Sequence, residues 1–104
     1  MTLTIWKYEL ELLTHVDIEM PKGAKLLDVQ MQGSQENALG FLGPVDGKPC
    51  LWAMVDSEAE TEVRKFRILG TGHYYEDEPV DEYEYIGTFQ MGNGELVLHL
   101  FEIK

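Results

Sequence analysis

The sequence predicts an all-β, mainly antiparallel fold, a small β-sandwich or partly open barrel of about seven strands. Three observations carry this expectation. Apolar and polar residues alternate with period two over most of the chain. Turn signals rich in Gly and Pro separate the alternating runs. No stretch carries the apolar stripe of an amphipathic helix. At 104 residues the chain reads as one domain, 1–104, with a long loop at 33–48. A domain of this size buries roughly 60–65% of the surface it exposes when unfolded.

Taken in order, Thr4 to Leu12 places Trp6, Tyr8, Leu10 and Leu12 on one side and Lys7, Glu9 and Glu11 on the other, a half-buried strand. Val16, Ile18 and Met20 continue the alternation against Asp17 and Glu19. Met20-Pro21-Lys22-Gly23 then supplies a turn, with Pro second and Gly fourth. A hairpin is expected there, returning through Leu27, Val29 and Met31. From Gly33 to Lys48 the pattern lapses into a segment with four glycines and one proline. Its apolar members Leu39, Phe41 and Leu42 are expected to dock on the body. "PCLWAMV", 49–55, is apolar on both faces and predicts a central strand.

Asp56 to Glu62 is acidic and long enough for one helical turn only. Val63 to Leu69 resumes as a strand with Phe66 and Ile68 inward and Lys65 and Arg67 opposite. Glu82 to Met91 places Tyr83, Tyr85, Gly87, Phe89 and Met91 on one face. Gly92-Asn93-Gly94 is a hairpin turn, and Glu95 to Ile103 closes the chain as a strand.

Composition bounds the function. Hydrophobic residues make up 44% of the chain, which argues against global disorder despite a net charge of -11. Nineteen acidic against eight basic residues argue against direct nucleic-acid binding, whose affinity comes from neutralising phosphates. A basic protein surface is the better macromolecular partner. No apolar run approaches the roughly 20 residues that cross a bilayer, so no membrane partner is expected. A single cysteine, Cys50, and no basic-plus-apolar secretory leader point to a reducing cytoplasm.

Six segments, "IWKYEL", "MPKGAKLLDVQMQ", "PCLWAMVD", "FRILGTGH", "YIGTFQM" and "HLFE", together resemble, in order and over nearly the whole chain, a small uncharacterised family encoded by phages and prophages. That family is a domain of unknown function, so the resemblance implies no activity, cofactor or catalytic residue. It does imply a phage setting, in which host interference, gene-expression control and virion assembly are the relevant roles. The sequence departs from the family pattern in its longer segment between Gln32 and Pro49. It departs again in Tyr74-Tyr75, which replaces a more proline-rich continuation after His73.

The corner around Gly70-Thr71-Gly72-His73 is the main candidate site. It ends a strand rather than opening a helix, so it is neither a Rossmann nor a P-loop cradle. Two glycines permit successive amides to converge on an anion, with the Thr71 hydroxyl and His73 ring as further donors. Arg67 is placed to supply a guanidinium. Tyr74, Tyr75 or Trp6 would form an aromatic wall. The competing reading is a tight turn with an exposed histidine, Trp6 and Tyr8 in the core, and Lys65 paired with the Glu82 and Glu84 side of a neighbouring strand.

Glu76, Asp77, Glu78 and Asp81 open a dense acidic run suited to protein interaction. It lacks EF-hand spacing, and His15, His73, His99 and Cys50 are too scattered for zinc, so no metal and no cofactor are expected. Cys50 reads as an inert core thiol. His99, with Val97, Phe101 and Ile103 on its face, reads as a hydrogen-bonded interior or interface residue. The expected function is therefore non-enzymatic. It is a homo-oligomeric cytoplasmic binding protein that interferes with host defence by sequestering a small anionic or nucleotide-like ligand. The alternatives are an acidic charge mimic, with ten of the nineteen carboxylates between Asp56 and Glu84, that inhibits a basic host enzyme, and a nucleotide-signal hydrolase.

Overall fold

The computed structural model describes residues 1–32, 47–92 and 94–104. The apolar residues expected to dock from the long loop, Leu39, Phe41 and Leu42, lie outside the described residues. Seven strands follow in order: β1 (Leu3–Glu9), β2 (His15–Pro21), β3 (Lys25–Gln32), β4 (Lys48–Asp56), β5 (Thr61–Gly70), β6 (Tyr83–Met91) and β7 (Leu96–Ile103). They form two antiparallel sheets, one ordered β1-β4-β3 and the other β2-β5-β7-β6. The expected all-β sandwich is therefore the observed fold, with no closed barrel.

Alternation sets which face each strand buries. In β4, Leu51, Ala53 and Val55 are sealed inside, and β4 is central to its sheet, as its apolar sequence predicts. In β5, Phe66 and Ile68 meet Leu98 and Leu100 of β7 in the core, together with Val16, Ile18 and Met20 of β2. Phe66 and Leu100 are wholly buried. A side chain of this size contributes roughly 1.5–3 kcal/mol by leaving water.

Two expectations are corrected by the tertiary structure. Residues 20–24 do turn, but one residue later than the sequence pattern suggests. The Ala24 amide donates to the Pro21 carbonyl and Gly23, at φ +80°, takes the third position, where a type II turn demands a positive φ. The strands it joins do not pair. β2 joins β5 and β3 joins β4, so the turn carries the chain between sheets rather than closing a hairpin. In β6 a bulge between Tyr85 and Gly87 breaks the alternation. Tyr83 and Tyr85 consequently sit on the outer face, opposite Ile103 and Phe101, while Gly87 and Phe89 turn inward. One extra residue in a strand reverses the facing of everything beyond it.

The sheets meet most closely where β3 runs along β6. A Cβ on Gly87 would stand 2.7 Å from Val29 Cγ1, so this seam closes only because residue 87 has no side chain. Across the sandwich, β1 and β2 are edge strands that do not pair with each other. Asp56 to Thr61 forms a turn rather than a helical turn, with the Ala59 amide on the Asp56 carbonyl and the Glu58 amide on the Asp56 side chain.

Candidate functional site

β5 ends at Gly70, and the chain turns back over the rim of the sandwich. The His73 amide donates to the Gly70 carbonyl at 3.3 Å, and Gly72 occupies the third turn position at φ +81°. A second type II turn results, for the same reason as at Gly23. Three of the amides expected to converge on an anion, those of Gly70, Thr71 and His73, are engaged within the protein. That of Gly70 donates to the Tyr75 hydroxyl at 2.9 Å, and that of Thr71 to the Val97 carbonyl at 2.9 Å.

Arg67 is likewise withdrawn. Only 5% exposed, it lies on the outer face of the four-stranded sheet. Its Nε donates to Glu78 Oε1 at 2.8 Å, and its Nη1 donates to the carbonyls of Thr14 and Ile68. The Tyr75 ring covers the guanidinium at 5.1 Å from the ring centroid. Tyr83 donates its hydroxyl to the same Glu78 oxygen at 2.7 Å. Arg67 and Tyr83 together hold the Glu78 carboxyl below its ordinary range. The expected role of Arg67 as a ligand's counter-ion is thus corrected: its charge pins the 71–79 segment to the sheet. A buried guanidinium needs such partners, because an uncompensated one is very costly.

The other cations of β5 also find partners, though not those expected. β5 lies between β2 and β7, not beside β6. Lys65 pairs with Asp17 at 3.6 Å, and Arg64 binds Glu102 with two nitrogens while its third reaches the Ala24 carbonyl. Burial acts to raise the Glu102 carboxyl, but hydrogen bonds and charge from Arg64, then Lys104, leave it lowered.

What the turn does build is a cavity of about 230 Å³ at the rim, between the 70–75 segment and the β1–β2 connection. Ile68 and Leu98 form its floor, Leu12, Leu13 and Leu96 its apolar sides, and His73 and Tyr75 its polar edge. A Cβ on Gly70 would stand 2.5 Å from His73 Nδ1, so the ring holds this position only because residue 70 has no side chain. Leu12 and Leu13 are both about half exposed, so the apolar lining continues onto the surface. Sequence reasoning missed these two leucines by extending β1 to Leu12. The pair of adjacent leucines, which breaks the alternation, was the available signal.

On the far side of the turn, Thr71 Oγ1 lies 2.6 Å from His99 Nε2, and Thr88 Oγ1 2.9 Å from His99 Nδ1. Tyr85 bonds Thr88 at 2.6 Å, completing a chain of hydroxyls and one imidazole on the outer face. His99 is hydrogen-bonded, as expected, and lies partly exposed on the outer face rather than in the interior, which leaves its expected alternative at an interface open to it. Trp6 lies on β1, outside the cavity, facing inward at the sheet edge beside Ala53 and remaining 40% exposed. The fold therefore brings Gly70, His73 and Tyr75 to one cavity, puts Thr71 on the far side of the turn and leaves Trp6 apart.

The sequence pattern of a domain of unknown function, DUF7352, matches residues 1–104. The chain belongs to the DUF7352 family. No curated protein and no solved structure matches it. In this DUF7352 chain the acidic segment is tied to the sheet through Glu78 and Glu82. Glu78 is bound as described, a short 3-10 turn spans Val80–Glu82, and the Glu82 carbonyl accepts from the Lys104 amide. Glu76, Asp77 and Asp81 project into solvent from it, and Tyr74 is 98% exposed. Cys50 is buried, and burial raises its thiol above the ordinary value. Among the described residues no group of three or more His, Cys, Asp or Glu gathers into a metal site. No described helix is long and apolar enough to cross a membrane.

Proposed function

We propose that this domain is a non-catalytic binding protein that sequesters a small, flat, largely apolar molecule with a polar edge, of nucleobase or nucleoside type. The observation that carries this reading is the rim cavity, with a leucine and isoleucine lining and one imidazole and one phenol at its mouth. Binding sites for small molecules are generally concave and mostly apolar, with a few placed polar groups. With Arg67 engaged by Glu78 and a net charge of -11, recognition falls on the ligand's uncharged body rather than on a phosphate. The phage resemblance makes host interference by sequestration the biological setting of this proposal.

The test is ligand-observed NMR with adenosine, guanosine and their monophosphates. Binding is expected for at least one nucleoside, no weaker than for its monophosphate, and lost in His73→Ala. Recovery of the ligand at unchanged mass after long incubation supports sequestration, whereas a mass change turns the reading into hydrolysis. A monophosphate that binds far better than its nucleoside overturns it.

A second reading, docking to a basic protein surface, is favoured by one specific observation: Tyr74, 98% exposed, is presented between His73 and Tyr75, just ahead of Glu76 and Asp77, on a segment pinned by Arg67. Exposed aromatics on preorganised segments anchor protein interfaces. Tyr74→Ala together with reversal of Glu76 and Asp77 to Lys would abolish such docking and leave nucleoside binding intact.

A further inference from the structure

We infer that two copies of this chain associate through their β1 strands, forming one continuous six-stranded sheet across a two-fold axis. The two sheets present four edges, β1, β3, β2 and β6. β3 and β6 pack along one another, and each carries a bulge. β2 carries Asp17 and Glu19 on its outer face and ends in Pro21. β1 carries one charge of each sign on its outer face, Lys7 and Glu9, but neither a bulge nor a proline, and among the described residues its seven-residue regular ladder pairs with β4 alone. A regular edge without a bulge or proline presents free amides and carbonyls to which another strand can add.

The exposure pattern distinguishes edge pairing from face packing. Leu3 and Ile5, 57% and 55% exposed, lie on the outer face of their sheet, whereas Trp6, also well exposed, lies on the inner face. A partner laid on the outer face would cover the first two only. A strand added beside β1 covers all three, because it brings side chains alongside on both faces.

Charge identifies the added strand as a second copy. Like molecules of net charge -11 repel except where the local surface is balanced. The outer face of this sheet carries Lys7, Lys25 and Lys48 against Glu9, Asp28 and Asp56. Of the chain's nineteen acids and eight bases, that leaves sixteen against five elsewhere. Antiparallel self-pairing centred on Trp6 sets Lys7 opposite Ile5 and Glu9 opposite Leu3, so neither charge meets its own copy. A two-fold axis through the strand centre is the usual closed symmetry for such a contact.

The experiment combines light scattering with cross-linking on the full chain. Wild type is expected at twice the chain mass at concentrations on the order of 100 µM, a typical range for a weak edge contact. Ile5→Lys is expected at the monomer mass, with an unchanged circular dichroism spectrum. Val63→Lys, at an equally exposed apolar position on the other sheet, serves as the control and is expected to remain dimeric. If Ile5→Lys misfolds, Trp6→Cys and Ile5→Cys decide the matter. In the Trp6-centred register the two Trp6 positions oppose one another with Cα atoms within disulfide range, so Trp6→Cys is expected to oxidise to a covalent dimer, whereas Ile5→Cys, which faces Lys7, is not. A monomeric wild type, an Ile5→Lys dimer, a monomeric Val63→Lys or failure of Trp6→Cys to cross-link would overturn the inference.

Discussion

Arg67 and Glu78 join the four-stranded sheet to the segment that folds over it, with Nε and Oε1 2.8 Å apart and Tyr83 bonded to the same oxygen. Arg67 and Tyr83 lower the Glu78 carboxyl, so its ionised form favours the folded state. The stabilisation is fully present above the unfolded carboxyl's value, 4.5, and disappears as pH falls through the lower folded value. Glu78→Gln is therefore expected to lose stability at pH 7 and to show a shallower decline of thermal midpoint between pH 5 and pH 3 than wild type. Glu76→Gln, on an exposed neighbour, should track wild type in both respects.

His73 rests on Gly70 at the cavity edge. Gly70→Ala is expected to displace the ring, lowering nucleoside affinity at least tenfold while the circular dichroism spectrum persists. The shift of the His73 ring resonances provides a direct check. Unchanged resonances would show that the ring does not sit over residue 70.

The β3–β6 seam depends on Gly87 facing Val29. Overpacking typically costs 1–3 kcal/mol, so Gly87→Ala should lower stability by about that amount in urea. Removing the Val29 methyls makes room, and Val29→Ala with Gly87→Ala should be less destabilised than the sum of the two single changes. Additive losses would mean the residues do not share the space.

Tyr8 faces the core from β1, and its hydroxyl is buried without a partner among the described residues. Burial also raises its pKa. Tyr8→Phe removes an unsatisfied donor while keeping the ring. A gain of about 0.5–1 kcal/mol is expected in chemical denaturation.

Cys50, buried and with its thiol pushed up, should react with an alkylating agent only at the rate of global or local opening. Rapid alkylation of native protein at pH 7.5 would contradict this.

How far the fold could be read differs element by element. β4 and β5 were legible because their buried faces, Leu51-Ala53-Val55 and Phe66-Ile68, follow strict alternation. β6 was misread after Tyr85, because a bulge leaves the composition unchanged while shifting the facing by one. The Pro21–Ala24 turn was legible as a turn, yet its local geometry cannot say which strand either flank will join. At the candidate site, Gly70 and Gly72 announced a turn that the structure contains. The fate of Arg67 was hidden, since Glu78, eleven residues onward, could equally have stayed in solvent with its acidic neighbours.

The amino-acid order alone determined an all-β domain, the inward residues of most strands and the places where glycine must turn the chain. These follow from period and backbone sterics, which act over a few residues. Only the folded arrangement decided that β2 and β3 part into different sheets, that Arg67 is covered, and that Leu12, Leu13, His73 and Tyr75 share a cavity. Such outcomes depend on which distant surfaces bury each other most completely, a competition among all pairings at once that no short stretch records.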